Sequence, residues 1–331
     1  MMNKQVLLAK RPLGMLKEKD FSIVETAIPA LQENEVLVQI EYISLDPAMR
    51  GWMNAGTTYI RGVEIGEVMR AFAAGTVVDS KHPNFSKGDS VAGTMGAQSF
   101  AVMQGKHLTK VDATKVPLSW YIGVLGMPGL TAYFGLLDKG MPKAGETVLV
   151  SGAAGMVGSV VGQIAKLKGC TVIGIAGGKD KCEVLTRDFG FDKAIDYKST
   201  ENIGKAIKEL APNGIDIYFD NVGGSILDAA LLNLAMNARV VICGAISQYN
   251  ATEVQGIKNY MKLISARGTM SGIIVFDYFP RAAEALTDLS TWLNEGKIVY
   301  KEHVVEGLDH FANTLNMLFT GANTGKLVIK V

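Results

Sequence analysis

The chain of 331 residues is poor in the side chains that hold metals and disulfides, with only three cysteines and four histidines. Cys170, Cys182 and Cys243 show no paired spacing, which excludes a disulfide framework and suits a reducing compartment. A catalytic zinc needs Cys, His or carboxylate ligands converging on one ion with a position left open, often beside a separate four-cysteine site. No cysteine precedes Cys170, and His82, His107, His303 and His310 stand singly, so no metal is expected. An excess of charge of one sign is also missing. Lys and Arg total 33 against 32 Asp and Glu, a net charge of +1, which leaves no global field to recruit nucleic acid or an anionic membrane. Long apolar runs are absent too: Val6 to Ala9 is too short for a signal segment, and Asp228 and Asn233 interrupt the most apolar later stretch. A cytoplasmic protein is expected.

What is present is apolar content of 48%, enough for two sizeable cores. Residues 1–122 alternate short β-rich segments with turns, at Val36–Ile40, Gly75–Val78 and Lys87–Gly93, which predicts a small, mainly antiparallel β domain. From residue 123 the texture changes to buried-type strands alternating with helical periodicity. Strands are predicted at Thr147–Ser151, Thr171–Ala176, Ala194–Asp196, Ile215–Asp220, Arg239–Gly244 and Thr269–Ile273. That alternation predicts an α/β domain, a doubly wound parallel sheet over residues 123–296. Residues 297–331 return to shorter elements, and the β-type tail Gly325–Val331 is expected to pair back and complete the N-terminal domain.

The sharpest local signal is Thr147–Gly158, where a strand runs through Gly152-Ala-Ala-Gly155 into a helix and leaves small residues at Ala153, Gly155 and Gly158. One small residue permits a tight turn, one lets the backbone approach a pyrophosphate, and one allows close packing of helix on strand. The helix then points its N-terminus at the anion, while Val157, Val160, Val161, Ile164 and Ala165 form an apolar face and Gly169 stands where a C-cap ends it. After the second strand, an NAD site normally places an acid to hold the ribose 2'-hydroxyl. Here the chain reads Ile175-Ala-Gly-Gly-Lys-Asp-Lys181, so Gly177 and Gly178 leave room for a phosphate and Lys179 and Lys181 offer charge beside it. Asp180 argues the other way. Together these residues point to NADPH.

Several strings resemble the zinc-free medium-chain dehydrogenase/reductase superfamily, in its prostaglandin and leukotriene reductase branch and most of all bacterial curcumin-reductase-like proteins. They are Ser44-Leu-Asp-Pro-Ala-Met-Arg-Gly-Trp52, Val63-Glu-Ile-Gly-Glu-Val-Met69, the glycine-rich turn, Asp220-Asn-Val-Gly-Gly224, Cys243-Gly-Ala-Ile-Ser-Gln-Tyr-Asn250 and Gly321-Ala-Asn-Thr-Gly-Lys326. The resemblance implies a GroES-like substrate domain built from both chain ends around a Rossmann domain, and a homodimer. By position it also implies cofactor contacts at Gly155, Met156, Val157, Gly158 and Ser159, at Gly177, Lys181 and Tyr197, at Asn221, and at Cys243, Gly244, Ala245, Ile246, Ser247, Tyr249 and Asn323.

Without a metal to polarise it, the hydride acceptor must be electron-poor by itself, and a small-molecule enone or enal qualifies. Hydride goes to the β-carbon, donors hold the developing enolate oxygen, and a proton reaches the α-carbon. A neutral tyrosine suits that task, since with a pKa of about 10 it remains a donor at neutral pH. Two are candidates: Tyr249, past the fifth strand of the nucleotide domain, and Tyr59, on a loop after Arg50-Gly-Trp-Met-Asn54. Each also has a plainer reading, Tyr249 as packing on the cofactor and Tyr59 as a wall of the substrate pocket. A quinone reductase of the same fold and a non-catalytic NADPH-binding protein are the alternatives.

Overall fold

The computed structural model describes residues 2–331. In chain order the strands are β1 (Met2–Leu8), β2 (Phe21–Ala27), β3 (Glu35–Ser44), β4 (Phe72–Ser80), β5 (Ser90–Thr94), β6 (Phe100–Gln104) and β7 (Leu108–Lys110). They continue with β8 (Thr147–Ser151), β9 (Thr171–Ala176), β10 (Lys193–Asp196), β11 (Ile215–Asp220), β12 (Leu234–Ile242), β13 (Thr269–Gly272), β14 (Glu302–Glu306) and β15 (Lys326–Lys330). The helices needed below are α1 (Ala48–Trp52), α2 (Met156–Leu167), α3 (Lys179–Arg187), α4 (Gly224–Leu231) and α5 (Ala282–Asn294).

The chain divides into two compact units, Met1–Gly126 with Glu302–Val331, and Met127–Lys301. The sequence pattern places these breaks a few residues earlier, and local bonding explains the difference. Gly123 and Leu125 donate their N–H groups to the Trp120 carbonyl at 3.1 and 2.9 Å, which keeps this segment with the N-terminal unit. At the other break, Lys297 and Ile298 donate to the Trp292 carbonyl of α5 at 2.8 and 3.2 Å, and Gln163 binds Val299 from both ends of its amide.

In the first unit β14, β15, β3, β4, β5 and β7 run side by side, with β6 also paired to β3, and β1 and β2 form a separate antiparallel hairpin. All pairings in the larger sheet are antiparallel except β14 with β15. The C-terminal strand therefore lies against β3, Val328 opposite Ser44 and Lys330 opposite Tyr42. Val36, Val38, Ile40 and Ile43 of β3 join Met49, Trp52, Phe311, Leu327 and Ile329 in one core.

The second unit is a six-stranded parallel sheet in the order β10-β9-β8-β11-β12-β13. Counted from β8, that is the 3-2-1-4-5-6 order of a dinucleotide-binding sheet, and the chain reverses its direction of travel between β8 and β11. Val148, Leu149 and Val150 of β8 are fully buried, as expected of a strand covered on both faces. Strands β8, β9 and β11 begin and end where the residue pattern places them. The fifth differs: β12 starts at Leu234 and stops at Ile242, where Arg239–Gly244 is expected. Its register against β11 shifts between Leu234 and Arg239, around Asn237 in the left-handed region (φ 62°), and Cys243 and Gly244 belong to the following turn.

Candidate functional site

The glycine-rich turn owes its shape to backbone crowding. Gly152 has φ 58°, a conformation that favours glycine, and its carbonyl accepts the Gly155 N–H at 3.0 Å. At Gly158 a Cβ would lie 2.5 Å from the Gly152 oxygen and 2.8 Å from the Ala153 Cα, so no side chain fits. Gly155 caps α2 without a side chain, which leaves the amides of the first turn uncapped by the protein at the carboxyl end of β8. Val160, Val161, Ile164 and Ala165 bury as expected, whereas Val157 is half-buried and Ser159 turns inward to donate to the Met156 carbonyl at 3.1 Å. Gly169 follows the helix end with φ 79°.

β9 ends on Ala176 and runs into Gly177 and Gly178 rather than into an acid, and Asp180 stands exposed in the first turn of α3. A Cβ on Gly177 would meet the Tyr197 ring at 2.8 Å, so the absence of a side chain admits the aromatic face. Gly178, with φ 99°, caps α3, and its N–H donates to Asp196 Oδ1 at 2.7 Å. The two lysines of α3 differ. Lys179 is exposed and ion-paired with Glu183 at 3.7 Å, one turn along the solvent side. Lys181 is half-buried, with no ion pair among the described residues, and its pKa is lowered by burial and by the neighbouring charge of Lys198. Lys198, exposed on the turn after β10, is the cation the residue pattern misses, because only the pairing of β10 with β9 brings it to this corner.

The reversal between β8 and β11 is stitched by Asn221, whose N–H donates to Ser151 Oγ at 2.9 Å and whose Nδ2 donates to the Ser151 carbonyl at 2.8 Å. Beneath it, fully buried Asp220 accepts from Ser151 Oγ (2.8 Å), Tyr218 OH (2.7 Å) and the Val222 and Gly223 amides (both 3.0 Å). Burial and that carboxylate push the Tyr218 hydroxyl well above its ordinary pKa. The turns after β11 and β12 are then zipped together. Cys243 and Gly244 donate to the Asp220 carbonyl, Ile246 to that of Asn221, and Ser247 to that of Val222 through both N–H and hydroxyl. Tyr249 folds back over this turn and its hydroxyl accepts the Ala245 N–H at 3.2 Å. Accepting a backbone proton strengthens a hydroxyl as a donor.

The candidates from Gly155 to Tyr249 therefore all stand at the carboxyl ends of β8, β9, β10, β11 and β12, where open α/β sheets hold their ligands. Small residues at the turns leave the room a pyrophosphate needs, so these residues fit a dinucleotide. Tyr59 and Asn323 belong to the other unit. Tyr59 is 48% exposed and accepts from Trp52 Nε1 at 3.0 Å, and Asn323 is buried with its amide donating to the Gly325 carbonyl at 3.0 Å. Arg50, buried in the same unit, donates to Asn54 Oδ1 and the Pro12 carbonyl, both at 3.0 Å, and so ties the segment after α1 to the one around Pro12.

Residues 4–111 match a family described as the N-terminal domain of oxidoreductase, and residues 156–292 one described as zinc-binding dehydrogenase. The residues present do not fit the metal in that second description. Among the described residues no three His, Cys, Asp or Glu gather in a group that could hold an ion, and burial pushes the thiols of Cys170 and Cys243 up to about 11 and about 12. No helix among them is long and apolar enough to cross a membrane. The chain is 41% identical over 335 residues to the NADPH-dependent curcumin reductase of Escherichia coli, covering 99% of this chain and 97% of that one. It is 41% identical over 334 residues, with the same coverage, to a tobacco (Nicotiana tabacum) NADP-dependent 2-alkenal reductase. The crystal structure of CurA from Vibrio vulnificus in complex with NADPH superposes with a TM-score of 0.93 at 41% identity, covering 99% of both chains. With that fold and that extent of identity, the chain belongs to the medium-chain dehydrogenase/reductase superfamily, in its zinc-independent branch of alkenal, curcumin and prostaglandin reductases.

Proposed function

We propose that the protein is an NADPH-dependent reductase of carbon–carbon double bonds activated by an adjacent ketone or aldehyde. The observation that carries this reading is the corner after β9: glycines where an acid would hold a ribose hydroxyl, and half-buried Lys181 with no carboxylate partner among the described residues. Bound there, NADPH supplies a hydride from its reduced nicotinamide, which goes to the β-carbon of the substrate. The uncapped amides of α2 hold the pyrophosphate, and Asn221 with the 243–249 turn frames the far end of the cofactor. Tyr249 donates a hydrogen bond to the oxygen on which enolate charge develops, and its hydroxyl is already polarised by Ala245. Tyr59 is assigned to the wall of the substrate pocket. We also infer a cytoplasmic homodimer, for which light scattering on the purified protein is the check.

The test is NADPH consumption against a panel of enones, enals and quinones, with products identified by mass spectrometry. Saturated ketones and aldehydes are the expected products. Hydroquinone formation with enones left untouched would overturn the reading in favour of a quinone reductase, and stoichiometric binding without turnover would make this a non-catalytic carrier.

A further inference from the structure

The turn that follows β10 is built around one carboxylate. Asp196 Oδ1 accepts the N–H groups of Gly178 (2.7 Å) and Lys198 (2.9 Å), and Oδ2 accepts the Ser199 hydroxyl at 2.9 Å. The Tyr197 N–H donates to the Ala176 carbonyl at 3.0 Å, so the last residues of β9 and β10 are locked in register and the Tyr197 ring is laid over Gly177. Asp196 is thereby occupied by three donors, one of them the cap of the helix that carries Lys181. These bonds hold its carboxyl below the ordinary range, the Gly178 amide first among them.

Lys198 follows directly from this turn, and its ammonium has no ion pair among the described residues, in contrast to Lys179 with Glu183. Its charge reaches Lys181, which is half-buried and has no ion pair among the described residues. The two like charges repel each other; Asp196 attracts Lys198, but its oxygens are already taken by the Gly178 and Lys198 amides and the Ser199 hydroxyl, so an entering anion can bridge the two ammoniums. A phosphate dianion satisfies both, whereas a ribose hydroxyl satisfies neither.

We propose that Lys198 is a second cation that reads the cofactor's 2'-phosphate, and that Asp196 is a positioning residue that fixes the Tyr197–Lys198 turn against the cap of α3. The inference rests on the NADPH reading above. Its test compares equilibrium binding of NADPH, NADH, 2',5'-ADP and 5'-AMP at low and high salt. Lys198→Met is expected to weaken NADPH and 2',5'-ADP about tenfold, the loss of one charge-assisted contact, and to flatten their salt dependence while NADH and 5'-AMP stay within about twofold. Lys115→Met, which removes an exposed lysine of the N-terminal unit, is the control and is expected to leave all four within about twofold. Asp196→Ala is expected to cost NADPH more than NADH, and Asp196→Asn, which keeps an oxygen for the Gly178 and Lys198 amides, to restore most of the difference. Thermal unfolding of each variant separates these effects from misfolding. If wild-type protein binds NADPH and NADH equally, the reading of the corner itself fails. If it prefers NADPH but Lys198→Met retains that preference in full, or loses affinity for both dinucleotides alike, only the role of Lys198 is refuted.

Discussion

Lys326→Met is expected to destabilise the N-terminal unit far more than a surface lysine would. The Lys326 and Asp46 side chains are 2% and 8% exposed and their charged atoms stand 2.7 Å apart. The ammonium also donates to the Leu45 carbonyl at 2.7 Å, and the Asp46 carboxylate accepts the Ser44 hydroxyl. Met reproduces most of the lysine stem, so little cavity forms and the loss falls on the carboxylate, stranded in the core with one hydroxyl donor. Removing one member of such a pair costs about 3 to 5 kcal/mol. For a unit of this size each kcal/mol lowers Tm by roughly 2 to 4 °C, so a fall of about 10 °C is expected. Asp46→Asn should cost a similar amount, while Lys326→Met combined with Asp46→Asn should cost clearly less than the two together, with a coupling of about 2 kcal/mol. The assay is urea unfolding followed by both tryptophan fluorescence and circular dichroism, since two units need not unfold in one step. A Lys326→Met cost below about 1 kcal/mol, or strict additivity in the double variant, would refute the argument that this pair clamps the C-terminal strand to the segment after β3.

Tyr249→Phe is expected to lower kcat on an enone by a factor of roughly a hundred to a thousand, the usual loss of one oxyanion donor; wild-type turnover would remove Tyr249 from the chemistry. Lys181→Ala should weaken NADPH by about one to two decades and spare NADH, measured by fluorescence titration, and equal losses for both would reject its role. Gly158→Ala places a Cβ 2.5 Å from the Gly152 carbonyl, so the turn must open, at about 1 to 3 kcal/mol of stability and with NADPH affinity reduced by more than tenfold in calorimetry. Burial and nearby Asp220 raise the Cys243 thiol to about 12, so at pH 8 its alkylation by iodoacetamide should run about a hundredfold or more slower than in urea-unfolded protein, and activity should survive the reagent. The sign follows from linkage: the native thiol keeps its proton between pH 9 and 12 where the unfolded one loses it, so this contribution to stability is present below pH 9 and fades as pH rises through 12.

Much of the fold was legible because it is written in short-range chemistry. Buried-type strands such as Val148–Val150, and the left-handed glycines at Gly152 and Gly169, mark their own positions through steric requirements that few other residues meet. The start of β12 was harder to place because Asn237 reads as a turn, and only pairing with β11 carries the strand across it.

The site residues divide along the same line. Gly155, Gly158 and Tyr249 can be named as candidates because each sits next to a strand end that periodicity locates, and a carboxyl end in an open parallel sheet is already a functional address, whereas Asn221 is named only because the family resemblance implies it. Lysines on a helix carry no such address. Lys179 and Lys181 look alike in the chain, and what separates them is that the first reaches Glu183 one turn away while the second is partly covered, a distinction that depends on how α3 lies on its sheet. Lys198 is 17 residues beyond Lys181 and carries no local mark at all. It joins the corner only because β10 pairs in parallel with β9, which brings Asp196 beside Ala176 and lets one carboxylate bind the amides of both following turns. If Lys181 and Lys198 read the phosphate as proposed, that selectivity is a property of strand order, and a sequence read along its length shows the glycines of the turn before it shows which lysines gather beside them.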